Sequence, residues 1–289
     1  EWEIMKKHSE IGAGILKKSD SAEIRLAEVI ALTHHEKWDG SGYPEGLAGE
    51  AIPLAGRIVA IADLHGDLAS TRRALQLAGA IDDEDHWAGG DLVVVQTGDQ
   101  LDRGDDEQLI LALLDRLQDE AEAAGGALYI LNGNHELMNV RLDLRYVTEG
   151  GFADFQDTGD ASPADSLLLS FEPRQRARVA AFRPGAGYAR ILAERPLVLI
   201  LGDNVFVHGG VLPMHLDYGL DRMNEEVHDW MLGLGEPPEF IHTRESPTWT
   251  RNYSDEPDGD DCAQLAEVLE RLGAKRMIVG HTVQEDGIG

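Results

Sequence analysis

Residues 98–104 read GDQLDRG and are separated by two residues from a short apolar run at residues 92–95. An apolar run that ends in glycine and charged residues is typical of a buried strand followed by a polar loop. Four further runs end in the same way, with the sequences DLHG at 63–66, GNHE at 133–136, HGG at 208–210 and GHT at 280–282. Because strand ends in α/β sheets converge on one edge, we expect these carboxylate, amide and imidazole groups to meet there.

Apolar runs and helical patterns alternate from Arg57 onward, which predicts an α/β fold. Strands are predicted at residues 58–61, 92–95, 127–131, 198–201, 205–207 and 277–279. Helices are predicted at residues 68–78, 107–124, 224–234 and 262–272, with Gly125-Gly126 and Gly273 as C-terminal stops. Residues 142–175 show no such pattern and are expected to form a long, partly irregular insertion.

The first 56 residues follow a different pattern. Residues 1–35 carry apolar positions at helical spacing with a break around residues 19–21, which predicts two amphipathic helices. Residues 38–53 are rich in glycine, proline and acidic residues and are predicted to form a loop. We therefore predict a short α-helical segment at residues 1–56 and a separate domain at residues 57–289.

The composition indicates a globular chain and excludes several classes of partner. Of the 289 residues, 43% are hydrophobic, and 53 acidic residues against 25 basic ones give a net charge of −28. A charge of this sign repels nucleic acids and anionic membrane surfaces, so neither is expected as a partner. No apolar run approaches the roughly 20 residues of a membrane span.

The single cysteine, Cys262, excludes an internal disulfide, which fits a reducing compartment. We therefore expect a cytoplasmic protein by default. Because the chain starts with Glu1 rather than methionine, loss of a targeting segment is the alternative.

The donor atoms of the five motifs limit which metal ions and which reactions the site could support. Oxygen and imidazole donors without thiolate suit manganese, iron or zinc in a catalytic site. A carboxylate such as Asp99 can bridge two ions about 3.5 to 4 Å apart, the separation used for in-line phosphoryl transfer to water. Taken singly, Asn134 or Asp67 would be a turn former or a helix cap, and only the set as a whole favours a metal site.

The three motifs DLHG, GDQLDRG and GNHE resemble those of the calcineurin-like metallophosphoesterases, and among them the phosphoprotein phosphatases. The HGG motif and the stretch SPTWTR at residues 246–251 look most like the branch called Shewanella-like protein phosphatases. The resemblance covers residues 57–289. It implies a metallophosphoesterase-type layered β-sandwich flanked by helices. It also implies hydrolysis of phosphomonoesters, with phosphorylated protein side chains as candidate substrates.

The resemblance further implies two divalent metal ions, with manganese expected and iron or zinc as alternatives. Asp99 would bridge the two ions. The implied metal ligands are Asp63 and His65 with Asp99 for the first ion, and Asp99, Asn134, His208 and His281 for the second.

By the same resemblance, His135 would protonate the leaving oxygen and Asp102 would orient it. Arg103 would hold the phosphate oxygens, with Arg251 as a second candidate for that role. The nucleophile would be metal-bound water or hydroxide. Trp249 is left open as either a core residue or a wall of the active site. Four histidines that match no motif are expected at the surface without a role: His86, His215, His228 and His242.

Residues 34–44, HHEKWDGSGYP, resemble the HD-GYP phosphodiesterases that cleave cyclic di-GMP. This resemblance implies metal ligands at His8, His34, His35 and Asp63, although the family's His-Asp pair would lie before residue 1. Asp63 thus matches a metal ligand of both families. Residues 57–63 would be helical in an HD-GYP domain, whereas the phosphatase motifs require a strand there. We interpret residues 1–56 as a partial HD-GYP-like segment. Two alternative functions remain at this point, a cyclic di-GMP phosphodiesterase and a catalytically silent metal-binding regulatory module.

Overall fold

The structure is a computed structural model that describes residues 6–17, 28–29, 31–33, 35–36, 42–47, 51, 58–158 and 165–284. Near the N-terminus, helix α1 spans Lys7–Leu16, and residues 28–29 and 31–33 are helical as well. His34 and most of the loop predicted at residues 38–53 lie outside the described residues. Among the described helices, none is both long and apolar enough to cross a membrane.

The chain divides into two compact units. One comprises residues 1–59, 76–94 and 117–128, and the other comprises residues 60–75, 95–116 and 129–289. The second unit contains all of the residues that the phosphatase motifs place in the site. The domain boundary between residues 56 and 57 stays a prediction.

The first sheet has three strands in the order β1-β2-β3, with β1 at Ile58–Ile61, β2 at Val93–Gln96 and β3 at Ala127–Ile130. Helix α2 (Leu68–Leu77) follows β1, and helix α3 (Glu107–Ala124) lies between β2 and β3. The motifs DLHG, GDQLDRG and GNHE begin two or three residues after the last residues of these three strands. The predicted placement of the motifs after strands is therefore confirmed.

The second sheet has the order β4-β5-β6, with β4 at Val198–Leu201, β5 at Asn204–Val207 and β6 at Arg276–Ile278. Strands β4 and β5 are antiparallel and pair Leu201 with Asn204 across a two-residue turn. Strands β5 and β6 are parallel, which brings the chain after both of them to the same edge. His208 and His281 therefore approach each other although 73 residues separate them.

The described residues between 134 and 193 include five short helices, α4 (Asn134–Val140), α5 (Glu149–Asp154), α6 (Ser166–Leu169), α7 (Arg176–Phe182) and α8 (Gly187–Ala193). Helix α5 begins where Thr148 accepts a hydrogen bond from the backbone of Gly151. Helix α6 begins in the same way at Asp165. The insertion expected at residues 142–175 therefore contains two capped helices, and residues 159–164 lie outside the described part of the chain.

The C-terminal part adds helices α9 (Pro213–Tyr218), α10 (Leu220–Met231) and α11 (Gly259–Leu272). Helix α11 begins three residues earlier than predicted because Asp258 accepts hydrogen bonds from the backbone of Asp260 and Asp261. It ends at Gly273, which has a φ of 64° as the predicted stop requires. Strand β5 and helix α10 both bury large side chains: Phe206 and Val207 from the strand and Trp230 from the helix.

Candidate active site

Asp99 lies at the centre of the converging motifs. Its carboxylate is almost fully buried, and Oδ2 is 3.1 Å from His208 Nε2 and 3.8 Å from Nε2 of both His65 and His135. Burial opposes ionisation of this carboxyl group, but the neighbouring His208 and His135 hold its pKa below the usual value. Asp99 therefore belongs to two clusters of donor atoms that could hold a metal ion. The first cluster is formed by His65, Asp99 and His135, and the second by Asp99, His208 and His281.

The second cluster is crowded around one imidazole nitrogen. His208 is fully buried, and its Nε2 faces Asn134 Oδ1 at 3.0 Å and His281 Nδ1 at 3.1 Å. Its other ring nitrogen lies 3.0 Å from the carbonyl oxygen of Thr97, to which it can donate. Burial lowers the pKa of His208, but Asp99 outweighs burial and raises it to about 9. Oxygen and nitrogen atoms that can bind a metal therefore crowd around His208 Nε2, and this arrangement favours a bound cation.

The first cluster contains an imidazole nitrogen that lacks a hydrogen-bond partner in the described part of the chain. His65 Nδ1 lies 3.0 Å from the carbonyl oxygen of Leu101, while the buried Nε2 has no such partner and lies 3.6 Å from Asp63 Oδ2. A buried nitrogen left unsatisfied beside carboxylates is costly unless a metal takes its lone pair. The residues present therefore fit a pair of divalent ions that share Asp99.

The expected acid, His135, is itself one of the donor residues of the first cluster. His135 is buried, and its Nδ1 lies 2.6 Å from Asp102 Oδ2, so the ring is fixed with Nε2 toward the donor cluster. Arg103 is exposed, with one guanidinium nitrogen 3.3 Å from His135 Nε2 and the guanidinium carbon 5.7 Å from the centre of the Tyr146 ring. The structure thus brings Asp102, Arg103 and His135 together as the sequence predicts.

The remaining candidates lie around His281. Arg251 is exposed and donates to the carbonyl oxygen of His281 at 3.4 Å. The ring of Trp249 contacts the imidazole of His281 edge-on, with 5.7 Å between the ring centres. Of the two alternatives for Trp249, the structure favours a position beside the site.

Several site residues hold a backbone conformation that side chains rarely adopt. The positive φ angles are 47° for His65, 58° for Asp99, 66° for Asp102, 67° for Arg103 and 65° for His281. Such conformations cost roughly 1–3 kcal/mol each and cluster at functional sites. Neighbouring contacts must therefore hold these loops in place.

Glu136 supplies many of those contacts, a role that the sequence analysis did not assign. Its fully buried carboxylate accepts hydrogen bonds from the backbone nitrogens of Gly133, Asp99, Gln100 and Leu101 at 2.7–3.1 Å. Burial raises the pKa of this carboxyl group, and the charge of Asp99 adds to the effect. The loop approaches so closely that a Cβ at Gly133 would lie 2.2 Å from Asp99 Oδ1. Only glycine fits there.

A cavity of about 860 Å³ opens beside the first cluster. Asp63, His65 and Arg103 lie on its wall, and among the described residues that line it Arg103 is the only arginine or lysine. Four exposed acidic residues complete much of the rim: Asp67, Asp105, Asp106 and Glu149. Asp67 also accepts a hydrogen bond from the backbone of Ser70, so the helix-cap interpretation is correct for this residue.

Among the described residues, the histidines outside the motifs belong to neither donor cluster. The expectation that all of them lie at the surface is wrong for His215, which is buried and accepts a hydrogen bond from the backbone of Leu212. Burial lowers the pKa of His215 to about 4, so this histidine is neutral and structural. His228 is half-buried against the carbonyl oxygen of Ala193, and His86 pairs with Glu120.

The structure decides between the two conformations that the sequence allows for residues 57–63. Residues Ile58–Ile61 form strand β1, as the phosphatase motifs require, and Asp63 accepts a hydrogen bond from the backbone of His281. His8 and His35 lie elsewhere in the chain and contact each other through their Nε2 atoms at 3.0 Å. Asp63 therefore lies beside His65, as the phosphatase motifs predict.

Fold and site together define a metal-dependent phosphatase. Residues 56–285 match the calcineurin-like phosphoesterase family, and the chain belongs to that family. Its members use divalent metal ions, in agreement with the two donor clusters.

Two phosphatases illustrate the similarity. Shewanella-like protein phosphatase 2 of Arabidopsis thaliana is 43% identical over 264 residues, which cover 80% of this chain and 67% of that protein. The crystal structure of the cold-active protein-tyrosine phosphatase of a psychrophilic Shewanella species matches with a TM-score of 0.61 at 26% identity, covering 79% of this chain and 66% of that one. The chain spans about two thirds of the length of both proteins. The predicted α/β phosphatase fold is confirmed.

The N-terminal part is similar to a second family. Residues 1–85 match the HD domain and so overlap the phosphoesterase match at residues 56–85. A cyclic di-GMP phosphodiesterase of Thermotoga maritima is 54% identical over 72 residues, which cover 25% of this chain and 20% of that protein. The predicted resemblance to HD-GYP proteins is therefore confirmed for this short segment.

Proposed function

We propose that the chain hydrolyses phosphomonoesters, with phosphorylated protein side chains as the substrate class, and that it uses two manganese ions. The observation that carries the proposal is the buried carboxylate of Asp99, which joins the two clusters of donor atoms. Asp63 and His65 with Asp99 would hold one ion. The other would be held by Asp99, Asn134, His208 and His281. Two divalent ions supply positive charge that makes a water molecule more acidic and offsets the charge of the phosphate.

The side chains around the clusters would do the remaining chemistry. Asp102 fixes the imidazole of His135 through Nδ1, which leaves Nε2 available to give a proton to the leaving oxygen. Arg103 lies within 3.3 Å of that nitrogen and can donate two parallel hydrogen bonds to phosphate oxygens. Arg251, near His281, would contact the phosphate from the other side.

The substrate class rests on the relatives and on the shape of the site. Both phosphatases described above are named as protein phosphatases, one of them as a protein-tyrosine phosphatase. The cavity beside Arg103 is about 860 Å³, which is room enough for an aromatic side chain carrying a phosphate and for its flanking residues. A site open to one side suits a phosphate presented on a protein surface.

We also propose that residues 1–56 are a partial HD-GYP-like segment that takes no part in hydrolysis. The support is that Asp63, the one residue that both families would use, bonds to the backbone of His281 and lies beside His65. The segment would then lack a metal ligand that its relatives use.

Replacement of Arg103 tests the proposed preference for phosphomonoesters. Arg103→Ala is expected to lower kcat/KM for p-nitrophenyl phosphate by about 10²-fold, the usual cost of losing one charge-stabilising donor. The expected loss for bis(p-nitrophenyl) phosphate is below about 5-fold, because a diester offers fewer charged oxygens to the fork of the arginine. The measurement is steady-state hydrolysis of both esters with manganese.

Arg145→Ala is the matched control, because Arg145 is another exposed arginine and pairs with Asp143. This variant is expected to retain the activity of the wild type on both esters. Equal losses on the monoester and the diester in Arg103→Ala would contradict the proposed preference for monoesters.

A further inference from the structure

Arg178 is a fully buried arginine with every donor in use. It lies in helix α7, and its Nε donates to Asn139 Oδ1 at 2.8 Å. Nη1 donates to Glu107 Oε2 and to the carbonyl oxygen of Gly151, and Nη2 donates to Glu107 Oε1 at 3.0 Å and to Asp102 Oδ1 at 3.2 Å. A guanidinium group has five N–H donors, and all five are matched to an acceptor here.

The position of the guanidinium group is fixed by aromatic rings as well. Its central carbon lies 4.8 Å from the ring centre of Phe155 and 5.0 Å from that of Phe182, and both phenylalanines are fully buried. Contacts of this kind attract a cation to the faces of the rings. Arg178 is therefore held in one orientation from several directions at once.

This arginine contacts the carboxylate that orients the expected acid. Asp102 Oδ1 accepts from Arg178 and, at 2.9 Å, from Asn139 Nδ2, while Asp102 Oδ2 faces His135 Nδ1. Asn139 also donates to the carbonyl oxygen of His135 at 2.9 Å. One continuous network of hydrogen bonds thus runs from Arg178 to the imidazole of His135.

The charges explain why an arginine is needed. Asp102 and Glu107 are both fully buried, and two carboxylates without a counterion would be very costly at that depth. Burial raises the pKa of Glu107 in spite of Arg178, which shows how strongly this environment opposes negative charge. Arg178 is the cation that contacts both carboxylates. A lysine carries the charge but cannot make five fixed hydrogen bonds.

We propose that Arg178 is a positioning residue for catalysis: it fixes the carboxylate of Asp102 so that the imidazole of His135 points its Nε2 at the leaving oxygen. The inference rests on the proposed function, because it assigns Arg178 a part in the acid step of that reaction. Arg178 itself lies behind Asp102 and contacts neither the donor clusters nor the cavity wall among the described residues.

The test uses the leaving group, because help from a general acid matters most when the leaving oxygen is a strong base. Arg178→Lys is expected to lower kcat for phenyl phosphate by about 30-fold and for 2,4-dinitrophenyl phosphate by less than about 5-fold. Both losses are below the 10²- to 10⁴-fold that a general acid contributes, because the variant weakens the positioning of His135 and does not remove it. The full chain is assayed with manganese, and its metal content and melting temperature are measured alongside. KM is expected to change little.

Arg195→Lys serves as the control, since Arg195 is also buried and bonds to Gln100 and Asp115 away from Asp102. It is expected to change kcat equally for both esters. Should Arg178→Lys fail to fold, Asn139→Ala removes the other donor to Asp102 Oδ1 and carries the same expectation. Equal losses on both esters in the folded variant, with metal retained, would overturn the inference. If the wild-type chain itself showed no metal-dependent turnover, the proposed function would fail instead.

Discussion

Asp99→Asn is expected to remove at least about 10³-fold of the phosphatase activity, together with tight binding of both metal ions. The carboxylate is the donor that the two clusters share, and an amide offers one neutral oxygen in place of two charged ones. Loss of metal charge at the phosphate costs several kcal/mol of transition-state stabilisation, and about 4 kcal/mol corresponds to about 10³-fold in rate. The measurements are kcat at saturating manganese and metal content by mass spectrometry.

The matched control is Asp105→Asn, which alters an exposed carboxylate on the cavity wall that bonds to Thr148. This variant is expected to bind metal and turn over substrate at nearly the wild-type rate. Retention of two tightly bound ions by Asp99→Asn would show that Asp99 does not bridge them.

His135→Ala is expected to keep both metal ions and to lose about 10²- to 10⁴-fold in kcat, the range of a general acid. The reason is geometric, because Asp102 holds one ring nitrogen and directs the other toward the donor clusters. We expect the loss to be larger for phenyl phosphate than for 2,4-dinitrophenyl phosphate. Steady-state kinetics and metal analysis of the same preparation check both parts.

His135 also lies close enough to Asp99 and His65 to count among the donor atoms of the first cluster. Loss of one metal ion in His135→Ala would therefore make this histidine a ligand rather than an acid. His228→Ala provides the control, since His228 is bonded to the backbone of Ala193 and lies in helix α10. It is expected to retain both ions and full activity.

The sequence predicted the catalytic half of the fold because motifs and strands coincide. An apolar run followed by glycine and a metal-binding side chain is a local signal, so β1, β2 and β3 were predicted to within one residue at either end. The long helix α3 was predicted at its observed ends, whereas α10 and α11 begin before their predicted starts at residues 224 and 262. The short helices α4 to α8 were missed, because four to seven residues do not establish a period.

The side chains that support the candidate site were harder to predict than the candidate metal ligands. Arg178 is separated from Asp102 by 76 residues, and an isolated arginine in a helical stretch carries no local sign of burial. Glu136 was visible as part of the GNHE motif, but its backbone partners are Gly133 and three residues of a loop that precedes it by 35 to 37 residues. Only the folded chain shows that these two charged side chains point inward. His215 was misplaced for the same reason.

Hydrolysis of p-nitrophenyl phosphate by the purified, metal-stripped chain, measured before and after addition of manganese, tests the central claim most directly. His208→Ala is assayed in parallel, because His208 lies within 3.1 Å of Asp99 and of His281 in the second cluster. The account predicts turnover that depends on manganese in the wild type and is lost in the variant. A folded wild-type chain that binds manganese but hydrolyses no phosphomonoester would contradict it and would favour a catalytically silent metal-binding module.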